Sequence, residues 1–313
     1  MAEITAGMVK DLREKTGVGM MDCKAALAAT RGDMDAAVDW LRAKGLAKAA
    51  KKSSRVAAEG LVGVAVQGTT GAAVEVNSET DFVARNEKFQ AMVAEITKLA
   101  LAAEGDIEKL KAMKFRNAAQ TVAEHVTEMV ATIGENLTVR RTASLSVKEG
   151  AIGSYVHNQA APGMGKIGVL VALESTGKED ELAQFGRMLA MHVAATNPVA
   201  MDLAGVPSET LAREKAILEE KNAGKPANVL EKIVASGLKT YAKENCLLEQ
   251  VYVHDGAKTV TQAIAEAGNK AGAAIKLTGY LRMQLGEGID KKDDDFAAEV
   301  AKAAGQGSPD TKA

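Results

Sequence analysis

Apolar positions recur at helical spacing through the first 55 residues, and the period changes after them. Met8, Val9 and Leu12 share one face behind Thr5, whose hydroxyl is placed to cap a helix. Thr16-Gly17-Val18-Gly19 interrupts the pattern. Asp22 is then the expected cap of a second helix carrying Cys23, Ala26 and Leu27, which stops near Gly32. Asp33 is the expected cap of a third, with Met34, Ala37, Val38 and Leu41 apolar and Gly45 as its end. The stretch with Lys48, Lys51, Lys52 and Arg55 reads as a linker or a solvated helix end. Three helices in so short a length bury a small core, marginal by itself.

From residue 56 the alternation is that of strands. Leu61–Val66, a Gly68–Gly71 turn and Ala73–Val76 predict a β-hairpin. A helix follows over 86–103, with Phe89, Met92, Val93, Ile96 and Leu99 at helical spacing. Another covers 118–133 and stops at Gly134, and Leu137–Leu145 reads as a strand. The same order then returns. Ala151–His157 and Lys166–Glu174 make a second hairpin across 158–165, and 179–195 is a helix. Residue identity between the two units is poor, so the repeat is one of pattern: a duplicated α+β unit. Pro207-Ser208 opens a helix to about Asn222. Gly224-Lys225-Pro226 breaks it, and a second helix carries Leu230, Ile233, Val234, Leu238 and Tyr241. This pair, about 208–243, is a helical hairpin polar enough to protrude. Leu247–Val253 and Ala274–Leu285 read as strands around a helix over 260–267. A charged patch at 290–295 leads into a short helix with Phe296 and Val300, and 305–313 reads as a disordered tail.

Composition narrows the function. The 313 residues fit two or three domains. With 47% apolar but 3% aromatic residues, the core is aliphatic. Lys and Arg number 39 against 41 Asp and Glu, a net charge of −2, which excludes a surface that grips nucleic acid throughout. The first 55 residues depart from this balance, with 11 basic against 7 acidic side chains. Two cysteines, Cys23 and Cys246, make neither a disulfide framework nor a four-cysteine zinc site, and suit a reduced, cytoplasmic setting. No run approaches a membrane span of ~20 apolar residues, and the charged start lacks an export signal.

The familiar catalytic patterns fail. Gly163-Met-Gly165-Lys-Ile-Gly168 matches a dinucleotide loop only on paper, because its glycines precede a strand where a phosphate loop must follow one and open a helix. Ala160 and Ile167 break the alternative phosphate-loop pattern, so a flexible hairpin loop is expected. His125, His157, His192 and His254 lie at no metal-ligand spacing, and no cofactor or metal is expected. A non-catalytic binding protein fits best.

One run stands apart: Thr80-Asp81-Phe82-Val83-Ala84-Arg85-Asn86-Glu87. Its plain reading is local, with Thr80 or Asp81 capping the next helix and Phe82 stapling it to the core. Against that, a chain poor in aromatics places one among charges, while Phe89, Val93 and Ile96 already anchor the helix. A phenyl ring on a rigid helix start suits insertion into a partner's pocket.

With these residues in view, the chain resembles the bacterial translation elongation factor Ts family. The resemblance rests on Lys15–Leu27 (KTGVGMMDCKAAL), Asn77–Glu87 (NSETDFVARNE), Ile133–Asn136 (IGEN), Gly153–His157 (GSYVH) and Gly286–Ile289 (GEGI). It implies an α+β protein in four parts: a ubiquitin-associated-like three-helix domain at 1–55, core subdomains at 56–146 and 147–285, a coiled-coil hairpin inserted in the second, and a C-terminal module at 286–304. It implies guanine-nucleotide exchange on elongation factor Tu, GDP-bound and nucleotide-free, without direct nucleic acid, membrane or covalent chemistry. Thr80, Asp81, Phe82 and Val83 would displace the partner's Mg²⁺, His157 would make a second contact, and the hairpin would serve self-association. Plain alternatives stand beside these roles: His157 as a surface histidine at a strand end, Ile133 as core. Three rival functions remain: a ubiquitin adaptor, a hydrolase uniting Asp81 with His157, and an RNA-binding chaperone using the basic 42–55 stretch.

Overall fold

The computed structural model describes residues 4–16, 18–116 and 119–290. The C-terminal helix expected near Phe296 and the tail at 305–313 lie outside the described residues.

The first three helices are α1 (Ala6–Thr16), α2 (Met20–Ala29) and α3 (Met34–Lys52). Leu12, Cys23, Ala26, Leu27, Ala37 and Leu41 form their small core. Thr5 accepts the Met8 N–H at 3.3 Å, and Asp33 caps α3 at the Ala36 N–H, 2.9 Å. Asp22 does not cap α2. Gly19, with extended backbone, takes that position, and Asp22 sits in the first turn 3.1 Å from Lys44 Nζ. Gly45 does not end α3 either. The helix runs on because it packs against another helix, α6 (Val122–Ile133), and a Cβ at Gly45 would lie 3.0 Å from the Ala131 Cβ. At this crossing glycine supplies close approach, not a stop.

The remaining chain builds two sheets. β1 (Glu59–Gln67), β2 (Thr70–Ser78), β3 (Thr138–Ser146) and the short β5 (Met164–Gly165) form one, in the order β3-β2-β1-β5. β4 (Gly150–His157), β6 (Ile167–Glu174) and β7 (Lys276–Gln284) form the other, in the order β4-β6-β7. All pairings are antiparallel. Alternation sorts the side chains. Leu61, Val74 and Val76 face α4 (Glu87–Ala103) and α6, with α5 (Ile107–Ala112) beside them. Val169, Val171 and Leu173 face α7 (Glu179–Thr196) and α10 (Val260–Ala271). Val62, Ala73, Ile152, Leu170 and Ala172 from the opposite faces meet between the sheets. The result is helix, sheet, sheet, helix, with an aliphatic centre.

The duplication is more exact in topology than the sequence pattern allows one to see. In each unit a hairpin is followed by helices and a final strand that pairs with the hairpin's second strand. The last helix of each unit opens on a capping box, Thr121 with Glu124 and Thr259 with Gln262, and closes on a left-handed glycine, Gly134 and Gly272. The second unit carries the extra hairpin of α8 (Ser208–Lys221) and α9 (Ala227–Asn245). Gly237 lets these helices approach, since a Cβ there would meet Leu218 at 2.5 Å. The pair is anchored at its base by Ala200, Val206, Ala242 and Cys246.

Two expectations fail here. Residues 247–253 are not a strand. Leu247 and Leu248 donate their N–H groups to Ala200 and Met201, and Gln250 donates to Cys246, which leaves only an isolated bridge from Val251 to Thr259. The 158–165 connection is not a free loop. Met164 and Gly165 pair with Val62 and Gly63, so the segment completes the edge of the first sheet.

Candidate partner-binding site

β2 ends at Ser78 and α4 begins at Glu87, and the turn between them carries the singled-out run. Its shape is fixed from several sides. Ser78 Oγ donates to the Thr80 carbonyl at 2.9 Å. Glu135 Oε2 accepts the N–H groups of Glu79 and Thr80 at 3.1 and 3.0 Å, and its Oε1 accepts the Thr80 hydroxyl at 2.6 Å. Val83–Arg85 make one 3-10 turn, closed by the Arg85 N–H on the Phe82 carbonyl at 3.1 Å. Gln90 reaches back to the Ala84 carbonyl at 2.9 Å. Asn86, not Thr80 or Asp81, caps α4, accepting the N–H groups of Lys88 and Phe89.

This frame divides the four expected residues. Val83 is buried in the core of the first unit. Thr80 is half-buried and spends its hydroxyl on Glu135. Asp81 is exposed and pairs with Arg85 at 3.8 Å. Phe82 is 76% exposed, while Phe89 and Phe115 are buried and Phe185 is half-buried. It therefore staples nothing. The ring stands at the tip of the turn, with the exposed charges of Asp81, Arg85, Glu87 and Lys88 about it in the chain. Neither the cleft of about 400 Å³ between α3 and α6 nor the groove of about 310 Å³ between α7 and α10 includes a residue of 79–87.

His157 ends β4, exposed, with Nδ1 3.1 Å from the Tyr155 hydroxyl. No hydrogen bond or ion pair joins it to Asp81, so the acid–base pair that a hydrolase would need is not assembled. Among the described residues no group of three or more His, Cys, Asp or Glu could hold a metal ion. No helix of the described residues is long and apolar enough to cross a membrane. Ile133 is half-buried and packs against the first unit's core, as its plain reading has it.

Reading the sequence missed the residues behind the turn. Glu79 Oε1 accepts the Asn136 N–H at 2.6 Å, its Oε2 lies 3.3 Å from Arg55 Nη1, and Asn136 donates from Nδ2 to the Arg55 carbonyl at 2.8 Å. One signal was available. Glu135 follows the glycine that ends α6, where the helix dipole disfavours a carboxylate, so another partner had to explain it. A second buried network lies beside it. Glu75, fully buried, takes Arg140 Nη1 at 3.0 Å, Arg141 Nε at 2.5 Å, the Asn77 amide at 3.0 Å and the Gly286 N–H at 2.8 Å. Burial pushes its pKa up, but the Gly286 N–H, Asn77 and Arg141 outweigh that and hold it below the usual carboxylate value.

Comparison with known proteins agrees with the resemblance carried by 15–27 and 77–87. The family model described as elongation factor TS matches residues 79–287, beginning at the turn itself. Elongation factor Ts of Xanthobacter autotrophicus is 60% identical over 306 residues, 98% of this chain and 100% of that protein. The protein of the same name from Methylobacterium radiotolerans is 61% identical over 307 residues, covering 98% and 100%. That from Methylobacterium nodulans is 62% identical over 305 residues, covering 97% and 99%. Matched end to end at this level, the chain belongs to the elongation factor Ts family.

Proposed function

We propose that this chain, a nucleotide exchange factor of translation elongation by family, works by inserting Phe82 into the nucleotide-binding domain of elongation factor Tu. The ring separates packed elements there, shifts the phosphate loop and dislodges the Mg²⁺ that neutralises the GDP phosphates. Asp81 stands next to it and adds negative charge where the partner's metal and phosphates meet. Nothing covalent happens. The factor prefers the nucleotide-free partner, so it weakens GDP binding, and GDP weakens its own binding by the same factor. GTP then fills the site.

The observation that carries this reading is a 76% exposed phenyl ring on a turn hydrogen-bonded on both sides, to Glu135 before it and through the 3-10 turn after it. Rigidity matters because ordering a loose loop on binding would consume the energy needed to distort the partner. The other expected roles fit around it. Met20 and Met21, 59% and 78% exposed at the start of α2, give the three-helix unit an apolar docking edge. His157 offers an imidazole at the end of the second sheet. Ile217 and Val229 leave apolar positions open on the α8–α9 hairpin for self-association. The cytoplasm, where elongation runs, is the working compartment. The test is release of a fluorescent GDP from elongation factor Tu. Wild-type chain should accelerate it and Phe82→Ala should not match that acceleration.

A further inference from the structure

The motif Ile133-Gly-Glu-Asn136 has no part in the wedge reading, yet two of its residues touch the turn. Gly134 ends α6 in left-handed conformation, φ 91°, and turns the chain so that Glu135 faces the end of β2. There two carboxylates cross. Glu135 takes the backbone N–H groups of Glu79 and Thr80, and Glu79 takes the backbone N–H of Asn136. The Thr80 hydroxyl at 2.6 Å completes the first clamp, a short bond to a charged acceptor and so among the stronger kinds. The same helix end meets the three-helix unit. Lys52 donates to the Gly134 carbonyl, Arg55 pairs with Glu79, and the Arg55 carbonyl holds Asn136.

We propose that Glu135 is a positioning residue for nucleotide exchange: from the end of α6 it holds Glu79 and Thr80 so that Phe82 faces outward, in a fixed orientation to the three helices that dock. The inference rests on the wedge reading above. Val83 anchors the far side of the turn in the core. Glu135 anchors the near side, and Asp81 and Phe82 lie between the two fixed points. Without the near anchor the ring samples other orientations, and the rate falls in proportion to the competent fraction.

The experiment measures stimulated release of fluorescent GDP from elongation factor Tu against concentration of the full-length chain, for Glu135→Ala and Glu135→Gln, each with Phe or Ala at position 82. Glu135→Ala should lower the maximal rate about tenfold, with the half-saturating concentration changed less than about twofold, because the docking surfaces are intact. Glu135→Gln should recover most of the rate. Its amide oxygen accepts the two backbone N–H groups, and the Thr80 hydroxyl can accept from its NH₂. On a Phe82→Ala background Glu135→Ala should cost less than about twofold, since both changes act through one ring. A Glu135→Ala protein with the wild-type maximal rate overturns the proposal. So does the same proportional loss with and without the ring, which marks Glu135 as merely structural. Thr80→Val removes one bond and leaves Glu135 in place, so it serves if the alanine variant does not fold. It should lower the maximal rate about threefold, and a wild-type rate again overturns the proposal. Wild-type exchange by Phe82→Ala alone is a different result: it defeats the wedge reading itself.

Discussion

Replacing Glu75 by Ala removes the acceptor shared by Arg140, Arg141, the Asn77 amide and the Gly286 N–H. Breaking a buried ion pair from one side costs about 3–5 kcal/mol when the orphaned charge stays dry. Here the arginine side chains are 27% and 35% exposed, and each keeps another partner: Arg140 the Glu287 carbonyl, Arg141 the Gln284 carbonyl and the Glu287 carboxylate. They regain part of their hydration, so about 2–4 kcal/mol is expected for Ala. Gln keeps one acceptor oxygen but loses the charge, for about 1–2 kcal/mol. Urea unfolding of the full chain measures this. At an m value near 3 kcal/mol/M, the Ala variant should unfold at about 1 M lower urea. The effect has a pH signature. The carboxylate's folded pKa is depressed, so its stabilisation is complete above its unfolded value, near 4.5, and is lost as pH falls through the lower folded value. The gap between wild type and Glu75→Gln should therefore narrow below pH 4.5. A Gln variant within about 0.5 kcal/mol of wild type at pH 7, or a gap that ignores acid, would refute the reasoning.

Truncating Met20 and Met21 together should raise the half-saturating concentration for exchange about tenfold without lowering the maximal rate, from about 1.5 kcal/mol of lost apolar contact; a fall in maximal rate instead would place these side chains in the exchange step. His192 is fully buried, bonded to Gln250 at 3.0 Å and to the Val253 N–H, and burial, reinforced by nearby His254 and only partly opposed by Gln250, depresses its pKa. The unfolded chain then binds the proton first, so the stability due to neutral His192 is present above about pH 6.5 and drains away as pH falls through the folded value. An NMR titration should show this imidazole still neutral at a pH where the histidines of the unfolded chain are charged, and titration in parallel with the unfolded chain would contradict it. Cys23 and Cys246 are both fully buried, and burial together with Glu249 and Asp202 pushes the Cys246 thiol up. Thiol reagents should label neither in the native protein at pH 7 within the time that denatured chain reacts fully, and rapid native labelling would show that this packing is wrong.

The hairpins and the helices at 86–103 and 179–195 were legible because their apolar period is unbroken and Gly68 sits at the tip of its turn; the cap of the first helix was not, since Thr80 and Asp81 offer the same chemistry as Asn86. What the sequence hid depends on distant chain. Gly45 reads as a stop until α6, far along the chain, is laid against it. Leu247–Val253 alternates like a strand, but its N–H groups find Ala200 and Met201 before any strand can pair. At the site, Phe82 was visible as an aromatic out of place. Whether it turned inward as a staple or outward to solvent was not legible locally, because Glu79 and Thr80 just before it are bonded to Glu135, far along the chain.

Stimulated GDP release by Phe82→Ala tests the central claim most directly. A buried phenyl ring removes roughly 150 Å² or more from water, about 4 kcal/mol at 25 cal/mol/Å². Even a third of that, if expressed only while the partner is distorted, is about tenfold in rate. The ring contacts nothing essential to its own core, so the variant should fold with wild-type stability. The account predicts a maximal rate of release from elongation factor Tu at least about tenfold below wild type. A stably folded Phe82→Ala protein that releases GDP as fast as wild type at every concentration would contradict it.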